Sequence, residues 1–452
     1  LRIGACPLVR GWAGGPGLAE RTSGVGGAEL AYEYDSRFDV SQLRVSAGGP
    51  PIEVDVTHDL DGLPLQVGAL EIERDPASGV PTATRAGVVT TTYTIDGEGA
   101  PIELSASFPG DGFVERILRR DGAGRILELE EGSPGATERV EYGYDASGRL
   151  ASVTRGGAST RFEFDVRGNR VMAGSLVETA DAADRVQQRG DVEFDHDDAG
   201  FRVSRRGPAG TTTYDYGALG DLRAVETPSR RIEYLSDASG RRTARFVDGA
   251  LERAFIHAGT QPVAELAGDG SLRSVFVYGT RPHVPELVVQ ADRTFRILVD
   301  QLGSVRRVVD IGTGEVVQAL DYDAWGQIRR DTAPGFQPFG FAGGLTDPDT
   351  GLVRFGVRDY DPETGRWMAR DPILFEGGDI NLYAYVAGDP VNLVDPAGTD
   401  WVDSISTSHD GWLQGTGDFV AGFGDTISFG ATDWVRSHFY GGDPTDTCGL
   451  SY

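Results

Sequence analysis

At 452 residues, with 39% hydrophobic side chains and 64 glycines, the chain has apolar material for a core and turn-formers to interrupt it often. Its 42 basic and 69 acidic side chains leave a net charge of −27, and every basic one is Arg. A field this negative repels phosphate backbones, which makes nucleic acid a poor partner for the chain as a whole, and none is expected for the shell. Only Cys6 and Cys448 occur, near opposite ends, so this is not a small disulfide-rich scaffold, and sequence leaves open whether the two pair. No apolar run reaches the roughly 18 residues of a membrane span.

The N-terminus shows neither Met nor a charged-then-apolar leader pattern, and the chain reads as one entered in its middle. From there repeats dominate. Their unit is an aromatic residue, often followed by Asp, then Gly and a basic or polar residue: "YGYDASGRL" (142–150), "FEFDVRGNR" (162–170), "VEFDHDDAGFR" (192–202), "YDYGALGDLR" (214–223) and "IEYLSDASGRR" (232–242). Tyr144 to Phe164, Phe194 to Tyr214 and Tyr214 to Tyr234 are each 20 residues apart. Before the aromatic, Val140, Tyr142 and Tyr144 alternate with polar residues, the period of a half-buried strand. Asp opens a turn and Gly supplies its left-handed position. The alternation of "RLASVTR" (149–155) then returns antiparallel. Each unit is a hairpin, and since a lone hairpin is marginal in water, neighbours must pair edge to edge. Helix is expected only near 410–440.

These repeats resemble the tyrosine-aspartate (YD) repeats of the rearrangement hotspot (Rhs) family, to which the C subunits of Tc toxins and, more distantly, teneurins are related. "VDQLGSVRRVVD" (299–310), "LDYDAWGQIR" (320–329), "PFGFAGGLTDPDTGLVRFGVRDYDPETGRWMARDPI" (338–373) and "NLYAYVAGDPVNLVDPAG" (381–398) resemble the Rhs-associated core. The resemblance implies an all-β fold, with antiparallel YD hairpins in one continuous spiralling sheet. That sheet forms a shell or partial shell, closed by the core. Residues 1–290 would be shell, part of a longer array; 291–398 the core or plug; and 399–452 a linker or the start of C-terminal cargo.

It also implies a reaction. Rhs and Tc C proteins cut their own chain just after a second Asp-Pro-x-Gly, in the manner of aspartyl proteases. That chemistry needs one ionised and one protonated carboxylate close together. By resemblance the catalytic candidates are Asp371 and Asp395, which open the two Asp-Pro motifs, and Arg370 as the orienting cation. Asp379 and Asp389 are further carboxylates in range. The expected cut follows Gly398 or Thr399. Two residues depart from the pattern: Leu374 stands where Gly is common, and Thr399 where cleaving members carry Leu. The competing reading is that Asp371 and Asp395 only cap turns, since Asp-Pro is a common turn opener.

Other signals are weaker. "DPDTG" (347–351) and "DYDPETG" (359–365) lack EF-hand spacing and read as solvated hairpin turns. The six His are scattered, without metal-ligand spacing. Trp325, Trp367, Tyr383 and Tyr385 are expected in the core. No metal or cofactor is expected. The functional expectation is a scaffold that encloses and delivers its own C-terminal effector as cargo. Delivery or secretion proteins and an immunity protein would be its partners, at the bacterial surface or outside it. Any enzyme activity would be one self-cleavage. The alternative is a non-cleaving extracellular adhesion or binding scaffold, of the teneurin kind.

Overall fold

The computed structural model describes residues 21–23, 27–97, 100–218 and 220–403. The expected tail helix and both cysteines lie outside the described residues. Strands β1 (Arg21–Ser23) to β31 (Ile328–Asp331) form one 31-stranded sheet. Each strand pairs antiparallel with the strands before and after it in the chain, an uninterrupted meander. Among the described residues β1 and β31 do not pair with each other, so the sheet stays open. The segment expected as core, 291–398, gives four strands to this sheet before leaving it after Asp331. No described helix is long and apolar enough to cross a membrane; helix is limited to short 3-10 turns such as Leu374–Gly377.

The repeat sequence explains the meander. Asp145 Oδ1 accepts the amides of Ser147 at 2.9 Å and Arg149 at 3.0 Å, and its own amide donates to the Arg149 carbonyl. Asp121, Asp165, Asp181 and Asp237 do the same. The turn needs a left-handed residue three places after the Asp, which Gly148 fills at φ 88°; Asp184, at φ 63°, takes the place in a unit without Gly. The arginine four places on closes the turn with Nε on Asp Oδ2, as Arg149 does at 2.7 Å. Its guanidinium then lies over the next unit's aromatic: Arg125 over Tyr144 at 4.6 Å, Arg149 over Phe164 at 4.8 Å. Aromatic, Asp, Gly and Arg are thus parts of one device that binds each hairpin to the next.

The sheet bends back on itself. Its early turns and strands meet the late ones through Val88 N to Ile311 O at 2.8 Å, Gln301 N to Glu115 Oε1 at 2.9 Å and Arg306 Nη1 to Glu131 Oε2 at 2.7 Å. Residues 332–398, the plug, pack against the strands of this sheet and share a buried cluster with them. Their centre is a small sheet of β32 (Leu345–Thr346), β33 (Val353–Phe355), β34 (Arg358–Asp361) and β35 (Arg366–Trp367). Phe355, Tyr360, Trp367 and Tyr385 interlock there, with Tyr360 and Tyr385 ring centres 4.3 Å apart, and they share one hydrophobic cluster with shell residues from Leu30 to Tyr322. Trp325 and Tyr383 are buried too, the latter donating to the Gly200 carbonyl at 2.8 Å.

The two Asp-Pro turns expected in solvent face inward instead. Asp347 takes Arg245 Nε at 2.8 Å, Asp359 takes Arg242 at 3.0 Å and Asp361 takes Arg202 at 2.5 Å. The reason lies in the shell. Five places after the turn Asp sits the first inward-facing residue of the next strand, which is apolar in most units (Val40, Ile126, Leu150, Val186). It is Arg170, Arg202 and Arg242 where the plug's acidic turns pass, and all three are buried. Burial alone would raise the Asp361 carboxyl; Arg202 and Thr364 outweigh it and hold it below the usual carboxylate range.

Candidate functional site

The site grows from the β33–β34 hairpin. Its turn at Gly356 packs so tightly on the later chain that a Cβ there would meet the Ala397 carbonyl at 2.0 Å, and one on Gly398 would meet the Phe355 carbonyl at 2.4 Å. Two glycines thereby let residues 397–398 lie directly against Arg358. The Arg358 side chain is 5% exposed and stacks over Trp367 at 4.1 Å. Nη2 of Arg358 contacts Asp371 Oδ2 at 2.8 Å and Asp395 Oδ2 at 3.0 Å, and Nε donates to the Gly398 carbonyl at 2.5 Å. One guanidinium therefore holds both framing aspartates and the carbonyl of the expected cut.

Each aspartate is also fixed by the backbone. Asp395 Oδ1 accepts the amides of Gly398 at 2.7 Å and Thr399 at 3.0 Å, a turn akin to that of the repeats but closed on the third and fourth amides rather than the second and fourth. Asp371 Oδ1 accepts the Ile373 amide at 2.9 Å, and its own amide donates to the Leu382 carbonyl at 3.0 Å. Both aspartates do cap turns, but capping uses one oxygen of each and leaves the other on Arg358.

Burial sets the electrostatics. It pushes the Asp395 carboxyl up to about 6, with Arg358 and the two amides offsetting part of the effect. It raises Asp371 as well, again against Arg358, and it lowers the Arg358 guanidinium, which the two aspartates partly restore. Two carboxyls around one cation favour retention of a single proton, the charge state that acid–base work by a carboxyl pair requires.

The other expected residues fall elsewhere. Arg370 is exposed and pairs with neither carboxylate; the cation between them is Arg358, 13 residues before Asp371 in sequence. Adjacency in sequence pointed to Arg370, whereas the Asp371 side chain turns back toward β34 and meets Arg358. A usable signal existed in "VRFGVRDY" (353–360), where apolar residues alternate with arginines on both faces of a strand too short to escape burial. Asp379 is half-buried and caps the Asn381 amide at 2.8 Å. Asp389 is buried around Asn392, its carboxyl pushed by burial to about 6, and it does not touch Arg358. Leu374, in place of Gly, adopts φ 56° and is 47% exposed. Leu374→Gly is therefore expected to stabilise the plug by about 1 kcal/mol, read as a raised midpoint in urea followed by tryptophan fluorescence.

A pH effect follows from Asp389 and Asp395. Both hold protons to about 6, above the ordinary aspartate value near 4. Between those values the folded chain binds protons that the unfolded chain has released, so stability falls as pH rises through the window. The turn aspartates held below the usual range, such as Asp165 and Asp181, act in the opposite sense and only at lower pH. Half-buried His196, His257 and His283, whose imidazoles burial lowers, add an upward slope over the same pH range; each raised aspartate adds a downward one of about 1.4 kcal/mol between pH 5 and pH 7.5, read as the urea midpoint of parent against variant. Asp389→Asn and Asp395→Asn should each flatten that slope.

Comparison with known proteins agrees with this architecture. Residues 18–391 match the Teneurin YD-shell family. The chain is 28% identical to human (Homo sapiens) Teneurin-4 over 394 residues, covering 82% of this chain and 14% of that protein. It is 30% identical over 338 residues to Double-stranded DNA deaminase toxin A of Burkholderia cenocepacia (strain H111), covering 64% of this chain and 22% of the toxin. It thus spans less than a quarter of the length of either relative. The TcdB2-TccC3-TEV crystal structure has the same fold, with a TM-score of 0.61 at 16% identity, over 84% of this chain and 21% of that one. So does the Photorhabdus luminescens Tc holotoxin pore, with a TM-score of 0.55 at 15% identity, over 86% of this chain and 21% of that one. With an open meander of YD hairpins wrapped around an acid-turned plug, and a family match over most of its length, the chain belongs to the teneurin YD-shell family.

Proposed function

We propose that this YD shell encloses a C-terminal effector and frees it by one self-cleavage at the Gly398–Thr399 bond. The carrying observation is that Arg358 joins Asp371, Asp395 and the Gly398 carbonyl in one buried cluster. In the proposed step Asp371 takes a proton from a water molecule as the water oxygen bonds to the Gly398 carbonyl carbon. Arg358 Nε holds the developing oxyanion. Asp395, protonated to about pH 6 and already against the Thr399 nitrogen, gives its proton to that leaving amine. The C–N bond breaks, leaving a Gly398 carboxylic acid and a Thr399 amine; the new acid passes its proton to that amine, and the proton taken from water stays on the aspartate pair. The toxin relative supports an effector as cargo, and by the same reading the scaffold works outside the cell that makes it, with delivery and immunity proteins as partners.

The teneurin relatives favour a second reading, a cell-surface adhesion scaffold in which the same cluster only locks the plug. Intact mass separates the two. The full chain with a C-terminal extension, kept folded near pH 6, should yield a fragment ending at Gly398. Asp371→Asn and Asp395→Asn should stop the cut. An uncut wild type after prolonged incubation would sink the cleavage reading and leave the adhesion one.

A further inference from the structure

Between buried Asp371 and buried Asn381 the chain runs at the surface, directly over the site. Leu374 is 47% exposed, Phe375 67% and Ile380 73%, and the 3-10 turn Leu374–Gly377 buries none of its residues. Two of its hydrogen bonds are long, Glu376 N to Ile373 O and Gly378 N to Phe375 O, both at 3.3 Å. Leu374 holds a left-handed φ of 56°, which a side chain disfavours. The two ends are anchored instead. Asp371 meets Arg358 at 2.8 Å, and Asn381 Nδ2 donates to Asn169 Oδ1 at 2.9 Å. A turn with firm ends, no buried residue and weak internal bonds opens locally at low cost.

The turn touches the site through Gly377. A Cβ on Gly377 would lie 2.9 Å from Asp371 Oδ2 and 2.7 Å from the Thr399 carbonyl oxygen. Those are hydrogen-bond distances, so the same point is a seat for a water held by both oxygens. The Gly377 α-carbon stands one C–C bond from that point, about 1.5 Å, and no water fits there while the turn is down. We infer that residues 372–378 are a flap that shuts the cleavage site, and that water takes its seat on Asp371 only when the flap lifts. This rests on the self-cleavage reading above and names what regulates that site. The flap adds no group to the chemistry. It sets the fraction of chains in which the seat is free, and the rate scales with that fraction.

Two substitutions on this exposed turn should move the cleavage rate in opposite directions. Gly377→Ala puts a methyl group where the flap must close. Gly377 is not at positive φ, so alanine adds the contact without backbone strain. The flap should yield rather than Asp371, whose carboxylate is held by Arg358 and the Ile373 amide. In the full chain with a C-terminal extension, the fragment ending at Gly398 should then form about tenfold faster. Leu374→Gly relieves the left-handed strain, holds the flap down and should slow the fragment about fivefold. Hydrogen exchange of 372–380, read by mass spectrometry in chains kept whole by Asp395→Asn, reports flap opening without cleavage. It should quicken in Gly377→Ala and slow in Leu374→Gly by the same factors. Exchange that ignores both substitutions overturns the flap. So does a chain that cuts at one rate in all three forms, or one that both substitutions slow, which would make the turn a positioning element. Exchange that shifts as expected while parent and Gly377→Ala both stay whole with Asp395 in place sinks the cleavage reading instead and leaves the flap motion standing.

Discussion

Arg358→Met should leave the chain uncut, while Arg370→Ala cuts at the parental rate. Arg358 touches all three groups of the proposed step, and Met keeps its stem and its packing on Trp367 without the charge. Losing a single oxyanion donor typically costs on the order of 10²–10³ in rate. Here the same change also strands two buried carboxyls without their cation, so both should stay protonated at neutral pH and no base should remain. The expected loss is thus at least about a hundredfold, read as the amount of fragment ending at Gly398 against time. Arg358→Lys is the informative intermediate. An ammonium can pair with one or both carboxylates but cannot place a separate fixed donor on the Gly398 carbonyl, so folding should recover before cleavage does. If Arg358→Met cuts as fast as the parent, the cluster is a lock for the plug and nothing more.

The contrast between Arg358 and Arg370 shows where sequence reading worked and where it stopped. The hairpin unit was legible because it is a local device. Tyr144, Asp145, Gly148 and Arg149 each have a partner within about one repeat, so spacing alone reports the turn, the strand and the pairing with the next unit. The aspartates framing the site were legible for the same reason, since Asp371 and Asp395 sit in Asp turns of recognisable form. What the carboxylates face was not legible. Arg358 meets Asp371 through a hairpin reversal and Asp395 across 37 residues, contacts that no periodicity marks. The boundary expected at residue 290 stood on motif likeness, whereas β28 (Arg293–Val299) through β31 extend the meander, with the same pairing as the strands before them. The acidic turns at 347–351 and 359–365 misled in another way. Read alone, Asp-Pro with Gly is a surface turn. Only the arginines five places after Asp165, Asp197 and Asp237, where other units carry Ile, Leu or Val, announce that something acidic passes inside the shell. That signal was present in the repeat alignment at Arg170, Arg202 and Arg242.

This substitution of arginine for an aliphatic residue leads to the largest expected effect on stability. Arg202 is among the largest fully buried side chains, and its guanidinium holds Asp361 at 2.5 Å while reaching Thr364 Oγ1 at 3.2 Å. Arg202→Met keeps the volume and removes the charge, leaving Asp361 buried with the Thr364 hydroxyl and the Glu363 amide but no cation on it. Breaking a buried pair from one side typically costs about 3–5 kcal/mol. The penalty should fall on the seating of the plug more than on the shell, because Arg202 belongs to a strand that keeps both sheet neighbours. The measurement is the urea midpoint of the tryptophan signal beside hydrogen exchange in β18 (Val192–His196) and β19 (Arg202–Gly207). The first should drop while the second stays protected. Adding Asp361→Asn to Arg202→Met removes the stranded charge and should recover a large part of the loss. That rescue separates a charge left alone from a cavity opened in the core, since a cavity would survive the second substitution. Equal loss in the single and double variants would mean that Arg202 works through packing against Phe194, over which it lies at 4.6 Å, and that the acidic turn is held in place by its own hydrogen bonds.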